Sequence, residues 1–421
     1  MGGWLFNRWT LIASLALGLL GCAAAPRLAA PESRLNTAMP VGFTGEVRFA
    51  FESAESFRLH SQRTLGRVRS AAGDQPINIL ALSGGGAGGA FGAGALVGWS
   101  RSGQRPVFNL VTGVSVGALI APLAFLGRDW DAVLTKALSG ESSEHLLQRH
   151  LIGALFSTSI YRGQPLVELV DQFVTEDMVA AVAREYASGR MLFIETTDLD
   201  KGEPVIWNMG EIATHGGKEA RLLFRNVLVA SASIPVVFPP VMIDVHEGDN
   251  DYEEMHVDGA TTVPLFLAPE VAALVTQGAP QLGAVNVYVL VNGQLGRFPS
   301  TTKRTTSEIL SVAFNTNLTH NIRAALALAF NFAQRYGMEF QLTEIPNSYA
   351  FEGPLDFDPK HMRTLFDFAA HCAESGQLWK TLDRTYRDAI SSRAPKLGET
   401  PECPVAATAS ATEAAVPVVP Q

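Results

Sequence analysis

The stretch SGGGAGGAFGAGAL, residues 83–96, constrains the fold more than any other part of the chain. Between Ser83 and Phe91 every residue is glycine or alanine, and glycine returns at 92 and 94. Glycine loses more conformational freedom on ordering than any other residue. A run this dense therefore marks main chain that turns sharply or comes very close to something. It follows a short apolar run, Ile77–Ser83, rich in β-formers, and leads into a helical pattern from Gly92. A strand, a glycine loop and a helix in that order have three chemical uses. Gly84, Gly86 and Gly89 satisfy the G-x-G-x-x-G spacing of a dinucleotide loop. That loop also needs an acidic residue about twenty positions on to hold a ribose, and no Asp or Glu occurs between Asp74 and Asp129. A phosphate-binding P-loop fails too, because no Gly-Lys-Ser/Thr follows. The third use is an oxyanion hole, in which successive N–H groups converge on a developing alkoxide. It requires a nucleophile at the end of a neighbouring strand.

Gly113-Val114-Ser115-Val116-Gly117 meets that requirement. This G-x-S-x-G lies between the apolar strand Val107–Gly113 and the small-residue helix starting at Val116, the setting of a nucleophile elbow. The sharp turn raises the Ser115 hydroxyl above the sheet, where the N–H of Val116 can add to the oxyanion hole. A serine hydroxyl needs a base, and two kinds are available. In the chain order Ser…Asp…His, His320, His361 and His371 come late enough, but none lies in a glycine-flanked loop after a strand. The alternative is Asp258, which ends the apolar strand of HVDGAT and is followed by two small residues that would admit close approach. Asp-Gly is also a common turn sequence.

Further short strands are predicted at 191–199, 204–209, 254–259 and 284–293, with helices at 92–100, 116–126, 165–187 and 218–230 between several of them. The alternation argues for a three-layer α/β sandwich around a central, mostly parallel sheet. Beyond Thr305 the pattern is mainly helical, 307–336 and then 359–391 with a break near Gly376, and Met338–Pro346 reads as one more strand. With 47% hydrophobic and 17% charged residues the chain has ample core. Its net charge of −9, with no Lys/Arg-rich block, excludes nucleic acid as a partner.

Four motifs in order, SGGGAGG, GVSVG, ASASIPVVFPPV at 230–241 and DGA at 258–260, resemble the patatin-like phospholipases over roughly Ile77–Val291. The resemblance implies a Ser–Asp dyad without histidine: Ser115 as nucleophile, Asp258 as base, and Gly84, Gly85 and Gly86 lining the oxyanion hole. It implies hydrolysis of a lipid or other acyl ester through an acyl-enzyme, with no metal and no cofactor. YRGQPL at 161–166 and TTDLDKGEPVIWN at 196–208 are weaker echoes. One position departs from the family pattern. The loop usually carries Arg or Lys at its fifth residue, where this chain has Gly88, which keeps neutral acyl esters open as substrates. A histidine-dependent esterase and a non-catalytic envelope lipid-binding protein are the competing readings.

The termini carry their own signals. Arg8 is the only charged residue before Cys22, and Trp9–Leu20 is an uncharged, mostly apolar run of signal-peptide length. Leu19-Leu20-Gly21-Cys22 resembles the lipobox of bacterial lipoproteins. Residues 1–21 are thus expected to be a cleaved signal, Cys22 the lipidated N-terminus, and 22–45 a tether to a membrane, by the same analogy the outer membrane of the bacterial envelope. Residues 46–393 are expected to form one catalytic domain with a helical extension, and 394–421 a disordered tail. Export permits a disulfide between Cys372 and Cys403, but nothing in the sequence sets its geometry, and two independent thiols, Cys372 on a helix and Cys403 in a loose tail, are the favoured reading.

Overall fold

The computed structural model describes residues 27–43, 47–49, 54–142, 146, 159, 162–267, 284–296, 301–380 and 401–405. The expected signal, Cys22 and all of the tail outside 401–405 lie outside the described residues.

In chain order the strands are β1 Met39–Pro40, β2 Arg48–Phe49, β3 Ile77–Leu82, β4 Leu110–Val114, β5 Met191–Asp198, β6 Glu203–Asn208, β7 Val241–Glu247, β8 Asn250–Asp258, β9 Val285–Val291 and β10 Glu339–Glu344. The described helices are α1 Ala54–Ala72, α2 Gly89–Arg101, α3 Val116–Leu126, α4 Asp131–Leu138, α5 Gln164–Phe173, α6 Glu176–Ala187, α7 Met209–Thr214, α8 Gly217–Ser231, α9 Thr306–Arg335 and α10 Pro359–Glu374.

All ten strands join one sheet. Strands β5, β4, β3, β9 and β10 are parallel neighbours in that order. Their alternate residues face opposite layers. Leu80 and Leu82 join the core formed with α2, α3 and α10, whereas Ile79 and Ala81 join the core formed with α1 and α9. That division is the α/β/α sandwich read from the sequence. Beyond β5 the sheet turns antiparallel: β6 and β8 pair with β5, β7 with β8, β1 with β7 and β2 with β6. Parallel order is therefore confined to the five strands joined by long crossovers. The other half consists largely of short connections, such as the two-residue turn between β7 and β8, which can only join antiparallel neighbours.

Two segments expected to be loose are held. From Arg27 onward the presumed tether lies on the sheet edge. Arg27 is ion-paired with Asp200 at 2.7 Å, Leu28 accepts a hydrogen bond from the Glu253 N–H, and β1 pairs with β7. At the other end Cys372 of α10 is disulfide-bonded to Cys403, and the Val405 N–H donates to Gln377, so residues 401–405 are bound to the domain.

Helix α10 lies across α2. A Cβ at Gly94 would sit 2.1 Å from the carbonyl oxygen of Phe366, and one at Gly98 would sit 2.2 Å from that of Ala370. Part of the opening glycine run thus exists to let two helices touch backbone to backbone.

Candidate active site

Three strands bring the candidate nucleophile and base together. Along one edge β6 pairs with β5 from Phe193 to Asp198. On the opposite edge β4 pairs with β5 up to Val114↔Glu195. From the next residue β8 takes over, with Thr196↔Asp258. Strand β4 runs parallel to β5 and β8 antiparallel, so their C-terminal ends meet head-on. Ser115 follows Val114 and so arrives beside Asp258. Its Oγ donates a 2.6 Å hydrogen bond to Asp258 Oδ2.

Ser115 sits at the turn from β4 into α3 with φ 56° and ψ −128°, a region that ordinary residues avoid and that costs on the order of 1–3 kcal/mol. The neighbours hold it there. A Cβ at Gly117 would sit 2.5 Å from the Leu82 carbonyl oxygen, so only glycine lets α3 start this close to β3. Ser231, at the end of α8, accepts the Ser115 N–H at 3.0 Å and donates its own hydroxyl to the Glu195 carbonyl at 2.6 Å. Two residues on, the Ser233 carbonyl accepts the Asp258 N–H at 2.9 Å. One segment, ASAS at 230–233, thus clamps the main chain of both candidate residues. The sequence pointed to this segment only through resemblance and assigned Ser231 no role. A serine near a helix end is too common to single out without its partners.

Asp258 is wholly buried. Burial pushes its carboxyl up to about 7, against the opposing pull of hydrogen bonds from Ser115 and from the Ala260 N–H. The latter bond, 2.8 Å to Oδ1, leaves Oδ2 to the serine. Nearby Glu195 is buried as well and is raised well above the ordinary range, first by desolvation, with a further push from Asp258. Among the described residues no histidine bonds to Ser115 or Asp258. His320, His361 and His371 are exposed, and His361 is engaged by Asp356.

The glycine loop joins β3 to α2 beside Ser115, and a Cβ at Gly84 would sit 3.2 Å from Ser115 Cβ. The Gly84 N–H is already engaged by the Pro264 carbonyl at 3.0 Å. Of the three expected donors, Gly85 and Gly86 keep N–H groups with no acceptor among the described residues. Their lack of side chains has a local cause. A Cβ at Gly85 would sit 1.9 Å from the Asn292 carbonyl oxygen, and one at Gly86 (φ 55°) 2.0 Å from that of Pro354. Asn292 also donates its amide N–H to Ser83 Oγ at 2.9 Å and its side-chain NH2 to the Ser83 carbonyl at 2.6 Å, while Pro354 accepts the Ala87 N–H at 2.8 Å. Backbone from beyond β9 and from before α10 thus walls the loop on both sides. Gly88, the position of the departure, is closed off in the same way: a Cβ there would lie 2.0 Å from the Asn292 carbonyl oxygen.

Asp198, Glu254 and His256 form the one group among the described residues close enough to share a metal ion, with ligand atoms within 4.8 Å of one another. Arg48 and Lys201 supply the counter-charge instead. Arg48 holds Glu254 through both guanidinium nitrogens, and the Lys201 ammonium lies 3.5 Å from Asp198 and 3.6 Å from Glu254. Burial pushes the Glu254 carboxyl up, but bonds from His256 and Arg48 outweigh it and bring it down to about 2. The cluster is a closed ion network joining β2, β5 and β8 two residues before Asp258.

A family model described as patatin-like phospholipase matches residues 80–269. Solved structures similar to the chain include VipD from Legionella pneumophila, at 13% identity and a TM-score of 0.34, with 71% of this chain and 67% of that one covered. Human GIVD cytosolic phospholipase A2 is similar at 10% identity and a TM-score of 0.36, with 82% and 66% covered. No curated protein matches the chain.

Proposed function

We propose, from the match of residues 80–269 to a family model described as patatin-like phospholipase, that the chain is a lipid acyl-ester hydrolase with Ser115 as nucleophile and Asp258 as its base. The observation that carries the reading is the 2.6 Å hydrogen bond from Ser115 Oγ to a buried carboxyl whose proton affinity is raised to about 7. A base works best when its pKa lies near the working pH, and an ordinary aspartate would be too weak.

In the reaction Asp258 Oδ2 takes the hydroxyl proton as Oγ attacks the ester carbonyl. The carbonyl oxygen becomes an oxyanion that accepts the N–H groups of Gly85 and Gly86, joined by Val116 at the start of α3; one such donor is typically worth about 2.7–4 kcal/mol of barrier. Collapse breaks the bond to the alcohol, which leaves with the proton from Asp258. Water then loses a proton to the same carboxylate and attacks the acyl-enzyme, releasing the acid and regenerating Ser115. The proposed lipid anchor at Cys22 would keep this site near its substrate, since only five Cα steps, roughly 18 Å fully extended, separate Cys22 from the docked Arg27.

The test is labelling by a fluorophosphonate together with hydrolysis of p-nitrophenyl butyrate. Adduct formation at Ser115, with turnover abolished in Ser115→Ala, is expected. Labelling elsewhere, or turnover that survives the substitution, refutes the assignment. Single alanine changes at His320, His361 and His371 should leave the rate within about twofold, the spread of ordinary surface substitutions.

A further inference from the structure

We infer that the esters cleaved at Ser115 carry an uncharged, hydroxyl-rich alcohol rather than an anionic phosphate headgroup, and that a cavity beside the glycine loop selects for it. The inference rests on the hydrolase reading of Ser115 and adds the class of alcohol. The cavity, about 290 Å³, is lined at one end by Gly84 and Gly85, the loop that packs against Ser115. This is near the lower bound for small-molecule sites, about 300 Å³, and suits an alcohol the size of glycerol.

Its lining is graded. Leu318 of α9 stands nearest the loop, with Cδ1 3.8 Å from the position a Gly84 Cβ would take. Farther along the same helix face Asn315, Ser311 and Glu308 line the cavity, and Glu352 faces it from the segment before α10. Among the described residues these four side chains form no hydrogen bond or ion pair with the protein. They offer open donors and acceptors to a ligand, which is what alcohol hydroxyls need on leaving water.

Charge then decides the class. Glu308 and Glu352 are the charged residues of the lining, and no Lys, Arg or His is among them. A phosphodiester entering here would face two carboxylates and no cation among the described lining residues, and like-charge juxtaposition is one way a site rejects a ligand. The loop cannot supply the missing cation, because the Asn292 carbonyl fills the space in which a side chain at Gly88 would begin.

The experiment compares kcat/KM for 1-decanoylglycerol and decanoyl lysophosphatidylglycerol, which share an acyl chain, with p-nitrophenyl butyrate as a headgroup-free reference. The neutral ester is expected to be favoured by about tenfold or more, within reach of a single like-charge contact. Glu308→Lys and Glu352→Lys should each narrow that ratio by raising turnover of the anionic ester. Equal or faster cleavage of the anionic ester, by an enzyme that cleaves p-nitrophenyl butyrate through Ser115, overturns the inference and leaves the hydrolase reading standing. So does a ratio that neither lysine variant changes. Absence of Ser115-dependent cleavage of all three esters overturns both.

Discussion

Replacing Asp258 with asparagine should abolish turnover and, at alkaline pH, make the protein more stable. The side chain is wholly buried, and its carboxyl rises from an ordinary 3.8 to about 7 in the fold. Between those values the folded protein holds a proton that the unfolded chain has lost. The carboxyl's favourable contribution is therefore fully present below about pH 4 and disappears as the pH climbs through about 7. At about 1.4 kcal/mol per pH unit, the loss amounts to roughly 4 kcal/mol above pH 8, an upper figure because solvent and small shifts of the surroundings absorb part of it. Asparagine escapes this cost, since it never ionises. It can keep both contacts of the aspartate, with Oδ1 accepting the Ala260 N–H and Nδ2 donating to Ser115 Oγ. Urea unfolding of the parent and Asp258→Asn at pH 4, 6 and 8, with p-nitrophenyl butyrate turnover measured in parallel, tests the argument. The stability difference should swing in favour of the variant by about 2–4 kcal/mol between pH 4 and pH 8, while turnover falls at least a thousandfold. A difference that does not vary with pH refutes the account of the buried carboxyl. Turnover near the parental rate refutes the dyad.

The same carboxyl governs the rate profile: kcat/KM for the parent should rise with pH and level off above about 7, because only ionised Asp258 accepts the serine proton; a rise centred near 4 contradicts this. Gly86→Ala puts a methyl 2.0 Å from the Pro354 carbonyl oxygen at φ 55°, so it should lower stability by at least about 1–2 kcal/mol and remove most turnover with Ser115 still in place, as read by thermal unfolding and kcat. Ser231→Ala leaves the buried Ser115 N–H without an acceptor, and kcat should fall by about tenfold with a stability loss of about 1–3 kcal/mol; unchanged kcat would show that the clamp is dispensable. Cys403→Ser opens a loop with a sequence separation of 31 and should cost about 2–4 kcal/mol in chemical denaturation, an effect that reductant should reproduce in the parent and not in the variant.

Ser115 and Asp258 were legible in the sequence because each stands in a tight turn whose glycine neighbours are a local requirement. The strand–loop–helix order around the glycine run was legible for the same reason. Their meeting was not, because it depends on β8 replacing β4 along the edge of β5 at Thr196, a register that no local pattern reports. Strand β7 was missed because it follows a proline-rich segment that reads as loop and alternates its buried Ile243 and Val245 with exposed Asp244 and His246 over only a few residues. That the Gly84 N–H is already engaged hung on one long-range carbonyl, that of Pro264. The bond between Cys372 and Cys403 needed the Cα separation of 5.5 Å that only the fold provides. Gly88 was visible as a departure, whereas its cause, the backbone of Asn292, lies two hundred residues away in the chain.

The walls of the glycine loop also set a timetable. Ser115 and Asp258 both belong to the stretch matched by the family model, which ends at residue 269. Asn292 and Pro354, which press on Gly85 and Gly86, come later in the chain. During synthesis, and again during any passage across a membrane in extended form, nucleophile and base emerge before the backbone that shapes the loop beside them. Until residue 354 has arrived, the glycine loop beside the serine lacks the carbonyls that wall it in the folded protein. On the proposed reading, the order of the chain makes the hydrolase the last thing the fold completes, because the backbone that closes over the glycine loop belongs to its last third.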